Sequence, residues 1–122
     1  MKKALITIGS TREYIDPVRY ISNDSSGQQG MALIKVLLKK KFHIVCLHGY
    51  LQVKPIISSK IKYIFTPNAK SMLVETKKNI KVDLAIFNAA VSDYKVKNYS
   101  KQKIKKESDL NIQLRKNPDI LK

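Results

Sequence analysis

A chain of 122 residues, 43% hydrophobic and 27% charged, has the length and composition of one soluble globular domain with a modest core. No apolar run approaches the ~20 residues of a membrane-spanning helix, and the N-terminal apolar run is too short for a signal peptide and lacks a small-residue cleavage site, so a cytoplasmic protein is expected. The net charge of +15 would suit an anionic partner, yet lysine supplies nearly all of it, as an A+T-rich genome would; the lysine excess is read as that bias, and Arg12, Arg19 and Arg115 are read separately.

Residues 4–8 (ALITI) form a near-continuous apolar run, as expected of a strand buried on both faces. About twenty polar, aromatic and small residues follow, including 16–30 (DPVRYISNDSSGQQG). A strand-to-helix connection normally takes a handful, so a long structureless loop here is expected to be functional. Ser25-Ser26-Gly27 supplies a helix start, and residues 31–38 carry a wide apolar face up to Lys39-Lys40-Lys41, where cations suit the helix dipole. Residues 42–47 (FHIVCL) read as a second strand, with Cys46 a buried core thiol. After a loop around Pro55 comes a third strand, Ile61–Phe65.

Thr66 then reads as an N-cap with Pro67 at the first helical position, opening a helix to about Ile80. Residues 82–87 (VDLAIF) form a fourth strand, 88–109 a polar, lysine-rich connection, and 110–114 (LNIQL) a fifth strand by their period of two. Asn117-Pro118-Asp119 is a further helix start, and the sequence ends one turn later at Lys122, short of a helix's nucleation cost. The expectation is a single α/β domain over residues 1–122, with a mainly parallel sheet covered by helices and its C-terminal strands missing.

Gly9-Ser10-Thr11 after the first strand and Ser25-Ser26-Gly27 with Gly30 at the first helix could let a backbone approach phosphate. By themselves such clusters are more often plain turns and caps, and they lack the compact dinucleotide fingerprint. His43 and His48 form no metal-binding pattern, and no metal ligands are assigned.

The combination is more specific. Thr11-Arg12-Glu13, Asp16-Pro17-Val18-Arg19-Tyr20-Ile21-Ser22-Asn23 and Ser25-Ser26-Gly27 with Gly30 resemble the signature of phosphopantothenoylcysteine synthetases, or phosphopantothenate–cysteine ligases. Ala89-Ala90-Val91-Ser92-Asp93-Tyr94, Lys103-Ile104-Lys105-Lys106 and Lys116-Asn117-Pro118-Asp119-Ile120 resemble the family's later motifs, in order and rough spacing.

That resemblance implies a Rossmann-like three-layer fold and a two-step ligation. The carboxylate of 4′-phosphopantothenate attacks the α-phosphate of CTP, with Mg²⁺, and cysteine then displaces CMP from the acyl-cytidylate. It implies that Gly9, Ser26, Gly27 and Gly30 cradle the triphosphate, that Asn23 bonds the reacting carboxylate or acyl phosphate, and that Arg19 stands near the acyl or phosphate oxygens. Bracing of the loop by Arg19 through Asp16 is the other reading of that arginine. Phe87, Asn88, Ala89 and Ala90, at a strand's C-terminal end, would contact the base and phosphopantothenate, and Asp93 the nucleotide. Lys103 would be the mobile catalytic-loop cation, and Pro118, Asp119, Ile120 and Leu121 a nucleotide-contacting helix start.

Ser10 departs from the family's usual Gly-Gly-Thr or Gly-Pro-Thr, and Asn88 and Ser92 replace small apolar residues. Family members also continue well past Asn-Pro-Asp-Ile, and the flavin-dependent decarboxylase domain has no counterpart here, so FMN is not expected. The expected partners are CTP, 4′-phosphopantothenate, cysteine and a second copy of the chain, with a separately encoded C-terminal fragment or decarboxylase also open. A split or decayed fragment without turnover is the competing reading. A nucleic-acid-binding module lacks stacking stripes and a recognition helix. A short-chain dehydrogenase is disfavoured because Tyr99 follows Asn88 too closely.

Overall fold

The computed structural model describes residues 2–104 and 111–120. Four strands, β1 (Lys3–Ile8), β4 (His43–His48), β5 (Ile61–Phe65) and β6 (Leu84–Phe87), form one parallel sheet in the order β5-β4-β1-β6. Ile6 in β1 lies opposite Cys46 in β4 and Ile86 in β6. Two helices, α1 (Gln28–Lys39) and α2 (Ala69–Lys78), accompany the sheet, together with two ribbons of paired short strands. One ribbon is β2 (Arg12–Tyr14) with β3 (Tyr20–Ser22), and the other is β7 (Tyr94–Val96) with β8 (Leu114–Lys116).

The two central strands are apolar at nearly every position because both faces are covered. Ala4, Ile6 and Ile8 pack with Ile44 and Cys46 against Met31, Ile34 and Leu37 of α1. The alternate residues Leu5 and Leu47 point the other way, where α2 packs on β4 and contributes the fully buried Met72. The result is the expected three-layer Rossmann-like arrangement. Burial pushes the Cys46 thiol up to about 12, so it is a core packing group and not a thiolate. Met72→Ala is expected to cost about 3 kcal/mol, read as a lower urea midpoint, because the space it leaves in a close-packed layer cannot collapse fully.

Three sequence expectations need correction. The segment after β1 is not structureless: residues 12–22 fold into the antiparallel β2–β3 hairpin. Helix α2 begins at Ala69 with Asn68 as its cap, because Asn68 accepts from Ser71 N–H at 2.8 Å while the Ser71 hydroxyl accepts from Asn68 N–H. Thr66 is occupied elsewhere, its N–H and hydroxyl both donating to the His48 carbonyl. The strand expected at 110–114 is instead Leu114–Lys116, antiparallel to β7 and outside the main sheet; residue 110 lies outside the described residues. Asn117-Pro118-Asp119, a helix start too short to propagate, is irregular and leads to a turn at Ile120, the last of the described residues.

Candidate active site

The chain leaves β1 through α1 toward β4 and later returns to β6 on the other side of β1. The C-terminal ends of β1 and β6 therefore flank the point where strand order reverses, the place where open α/β sheets bind ligands. A cavity of about 570 Å³ lies there, well within the range for small-molecule sites. Its walls include Thr7 at the end of β1, Phe87 at the end of β6, Ala89 and Val91–Tyr94 beyond it, and the segment 116–120.

Two threonines hold the segment after β6 in place. Ala89 N–H donates to Thr7 Oγ1 at 3.3 Å, and Ser92 N–H to the buried Thr11 Oγ1 at 2.9 Å. Between them Ala90 N–H donates to the Gly9 carbonyl and Thr11 N–H to the Ala90 carbonyl. Residues 88–92 thus continue the parallel pairing past the strand's end. The C-terminal wall is fastened by Asn117, whose Nδ2 donates to the Ser92 carbonyl at 2.9 Å and whose N–H donates to the Asp93 carbonyl at 2.8 Å.

Of the residues read from sequence, Phe87, Ala89, Asp93, Pro118, Asp119 and Ile120 line this cavity. Leu121 lies outside the described residues. Asn88 meets the start of α1, its Oδ1 standing 3.5 Å from where a Cβ on Gly30 would project. Gly27 caps α1 in the left-handed conformation, φ 84°, and itself offers no side-chain cap. Ser26 Oγ accepts from Gln28 N–H, and the first turn carries no acidic residue, so no carboxylate there competes with an anion for the helix dipole. Gly9, also at positive φ, sits with Gly27 against Leu51. Asn23 reaches the same region, its Nδ2 donating to the Val91 carbonyl at 3.0 Å.

Arg19 and Lys103 form a separate group beside the hairpin. Asp16 is fully buried, and its Oδ1 accepts from the N–H groups of Val18 and Arg19. Its Oδ2 accepts from Arg19 Nη1 at 2.5 Å and from Ile104 N–H at 3.0 Å. Arg19 Nη1 also donates to the Ile104 carbonyl at 3.1 Å. Burial by itself would raise the Asp16 pKa, but the N–H groups of Ile104 and Val18 and the Arg19 guanidinium outweigh it and hold the carboxyl down at about 2. Arg19, Asn23, Lys103, Gly9, Ser26 and Gly27 do not themselves line the cavity.

Sequence reasoning did not assign Arg12, Glu13 or Tyr50. Arg12 stacks between Tyr20 and Tyr50, its Cζ 4.1 Å and 3.6 Å from the ring centroids, and donates to the Tyr14 hydroxyl. Glu13 accepts from Ala69 N–H at 3.0 Å, so the hairpin places a carboxylate on the N-terminus of α2. The Thr-Arg-Glu motif was the available signal, but its partners lie far along the chain.

Fold and cleft together define a Rossmann-like α/β domain with a small-molecule-sized site at its switch point. Comparison with known proteins agrees: residues 1–122 match the model of the DNA/pantothenate metabolism flavoprotein C-terminal domain, and the chain belongs to that family. It is 40% identical over 118 residues to the coenzyme A biosynthesis bifunctional protein CoaBC of Haemophilus influenzae, covering 95% of this chain and 29% of the relative. Among solved structures it resembles the DNA/pantothenate metabolism flavoprotein of Streptococcus pneumoniae, with a TM-score of 0.86, 25% identity, and coverage of 99% of this chain and 62% of that one. The C-terminal domain of a CoaBC protein gives a TM-score of 0.81 at 32% identity, with 98% and 56% covered. The chain spans about 30% of the length of the curated relatives it matches.

Proposed function

We propose that this domain ligates 4′-phosphopantothenate to cysteine at the expense of CTP. In the first step a carboxylate oxygen bonds to the α-phosphorus, the α–β anhydride bond breaks, and pyrophosphate leaves. In the second the cysteine amine bonds to the acyl carbon, CMP departs and the amine proton is lost. The observation that carries the reading is the meeting at one switch point of three separate segments: the post-β6 wall, the 116–120 wall, and Asn23 tied to Val91. Family membership supports it.

Each residue then has a physical task. The α1 N-terminus with Gly27 and Gly30 offers backbone donors and a positive dipole end to the triphosphate. Ala89 and Ala90 add no side-chain bulk between ligand and backbone. Asn23 contributes an amide that adds no negative charge beside the reacting carboxylate. Arg19 braces the loop through Nη1, while Nε and Nη2, which make no bond among the described residues, keep the fork's remaining donors for phosphate or acyl oxygens. Among the described residues no group of three or more His, Cys, Asp and Glu could hold a metal ion, so Mg²⁺ belongs here with the triphosphate, as part of the substrate. A second copy of the chain is included in the proposal as partner.

The test is pyrophosphate release by the chain with CTP and 4′-phosphopantothenate, ATP serving as the comparison nucleotide. Release dependent on both substrates is expected; no release together with no CTP binding by calorimetry overturns the reading. Asn23→Asp is expected to lower the release rate about 10²-fold, because a carboxylate oxygen would face the Val91 carbonyl and a negative charge would face an anionic substrate. A rate within threefold of the parent would remove Asn23 from the mechanism.

A further inference from the structure

The most heavily engaged buried side chain outside the cavity is Asp16, and its two oxygens do different work. Oδ1 closes a local turn, accepting only from Val18 and Arg19 two and three residues on. Oδ2 reaches across the chain, accepting from Ile104 N–H and from the Arg19 guanidinium that also holds the Ile104 carbonyl. Ser100 N–H donates to the carbonyl of the buried Ile15 at 2.9 Å, a second tie beside the first. Residues 15 and 16 therefore dock the segment 100–104 at two points, and Lys103 sits between those ties.

We propose that Asp16 is the positioning residue for Lys103: a buried carboxylate that hooks the backbone of the lysine-bearing segment and presents the Lys103 ammonium on the hairpin side of the site. The inference rests on the proposed role of Lys103 and adds to it the question of what holds that lysine. A lysine side chain carries about 2 kcal/mol of rotamer entropy, and its segment costs more to order residue by residue. An ionised acceptor inside the protein offsets part of that cost through charge-assisted bonds. An exposed acceptor would be satisfied by water and would hold nothing. Arg19 belongs to the same hook, so the loop and the guanidinium are placed together.

The two oxygens make a selective variant available. In Asp16→Asn the amide oxygen can keep the local turn, but its Nδ2 then faces the Arg19 Nη1 and Ile104 N–H groups, donor against donors. The turn stays and the hook is lost. Limited trypsin digestion with mass readout is expected to show cleavage after Lys101 and Lys103 about tenfold faster than in the parent, with cleavage after Lys35 and Lys39 in α1 unchanged. Pyrophosphate release should fall 10- to 100-fold in kcat with little change in KM for CTP. In a Lys103→Ala background the same substitution should cost less than twofold more, since both act through one group. If Asp16→Asn fails to fold, Ile104→Pro removes the donor N–H without touching the aspartate; the Lys103–Pro bond then resists trypsin, so the faster cleavage is read after Lys101 alone. Unchanged cleavage after Lys101 in a folded variant of either kind overturns the proposal, whatever the chain's activity. Fast cleavage in Asp16→Asn, with neither pyrophosphate release nor CTP binding in the parent, would uphold the hook and reject the ligase reading.

Discussion

Replacing Lys103 with alanine is expected to reduce CTP-dependent pyrophosphate release on the order of 10³-fold while leaving the urea midpoint within experimental error. Negative charge is redistributed on the transferring phosphoryl group at the moment of attack, and a cation held there acts mainly on the transition state. The side chain is exposed and makes no hydrogen bond or ion pair to the described residues, so its removal costs the fold little. The hook that places it uses the backbone of Ile104 and survives the substitution. CTP affinity by calorimetry should therefore change only a few-fold, and Lys103→Arg should recover part of the rate because a cation returns to the same segment. Release within tenfold of the parent in Lys103→Ala would exclude this lysine from the chemistry.

The main sheet was legible in sequence because its central strands are buried on both faces, which leaves continuous apolar runs. Ile61–Phe65 falls where those residues predicted it, and β1, β4 and β6 lie within two residues of their expected limits. The hairpin was invisible for the opposite reason. Its strands are three residues long and carry Arg12, Glu13 and Tyr14, with no alternation to read. What holds it is long-range: Glu13 on the N-terminus of α2 at a separation of 56 residues, and Asp16 on Ile104 at 88. Local propensity placed the start of α2 at Thr66-Pro67; the pairing of Thr66 with His48 and the capping box between Asn68 and Ser71 move it to Ala69. β8 is exposed along its length, so its pairing with Tyr94–Val96 left only a weak pattern in 110–114.

The segments of the site were likewise recognisable as motifs, but their convergence was not. Nothing in the spacing of Asn23 and Val91 announces a 3.0 Å bond, and nothing near Arg12 names Tyr50 as its stacking partner. Asp16 was legible only as the possible mate of Arg19; its hold on Ile104 belongs to the tertiary structure.

Gly49→Ala is expected to be the most damaging single methyl the chain can receive, about 3 kcal/mol or more. Gly49 passes so close to the exit of β1 that an added Cβ would stand 2.0 Å from the Ser10 carbonyl oxygen and 2.6 Å from its carbon. Those are backbone atoms and cannot swing aside as a side chain would. Gly49 is not among the residues at positive φ, so the cost is contact and not conformation. Relief requires separating β4 from the 9–11 segment, which breaks the exchange between Ser10 and Tyr50, whose N–H groups donate to each other's carbonyls at 3.2 and 2.7 Å. The same displacement pulls on Thr11, which holds Ser92, and on Gly9, which holds Ala90, so the cavity wall moves with the strand end. Stability and ligand binding should therefore fall together: a lower urea midpoint, and CTP affinity reduced at temperatures where the variant is still folded. A Gly49→Ala protein with the parent's midpoint would mean that the β1 exit can shift freely, and the site would then owe its geometry to the hairpin's anchors instead.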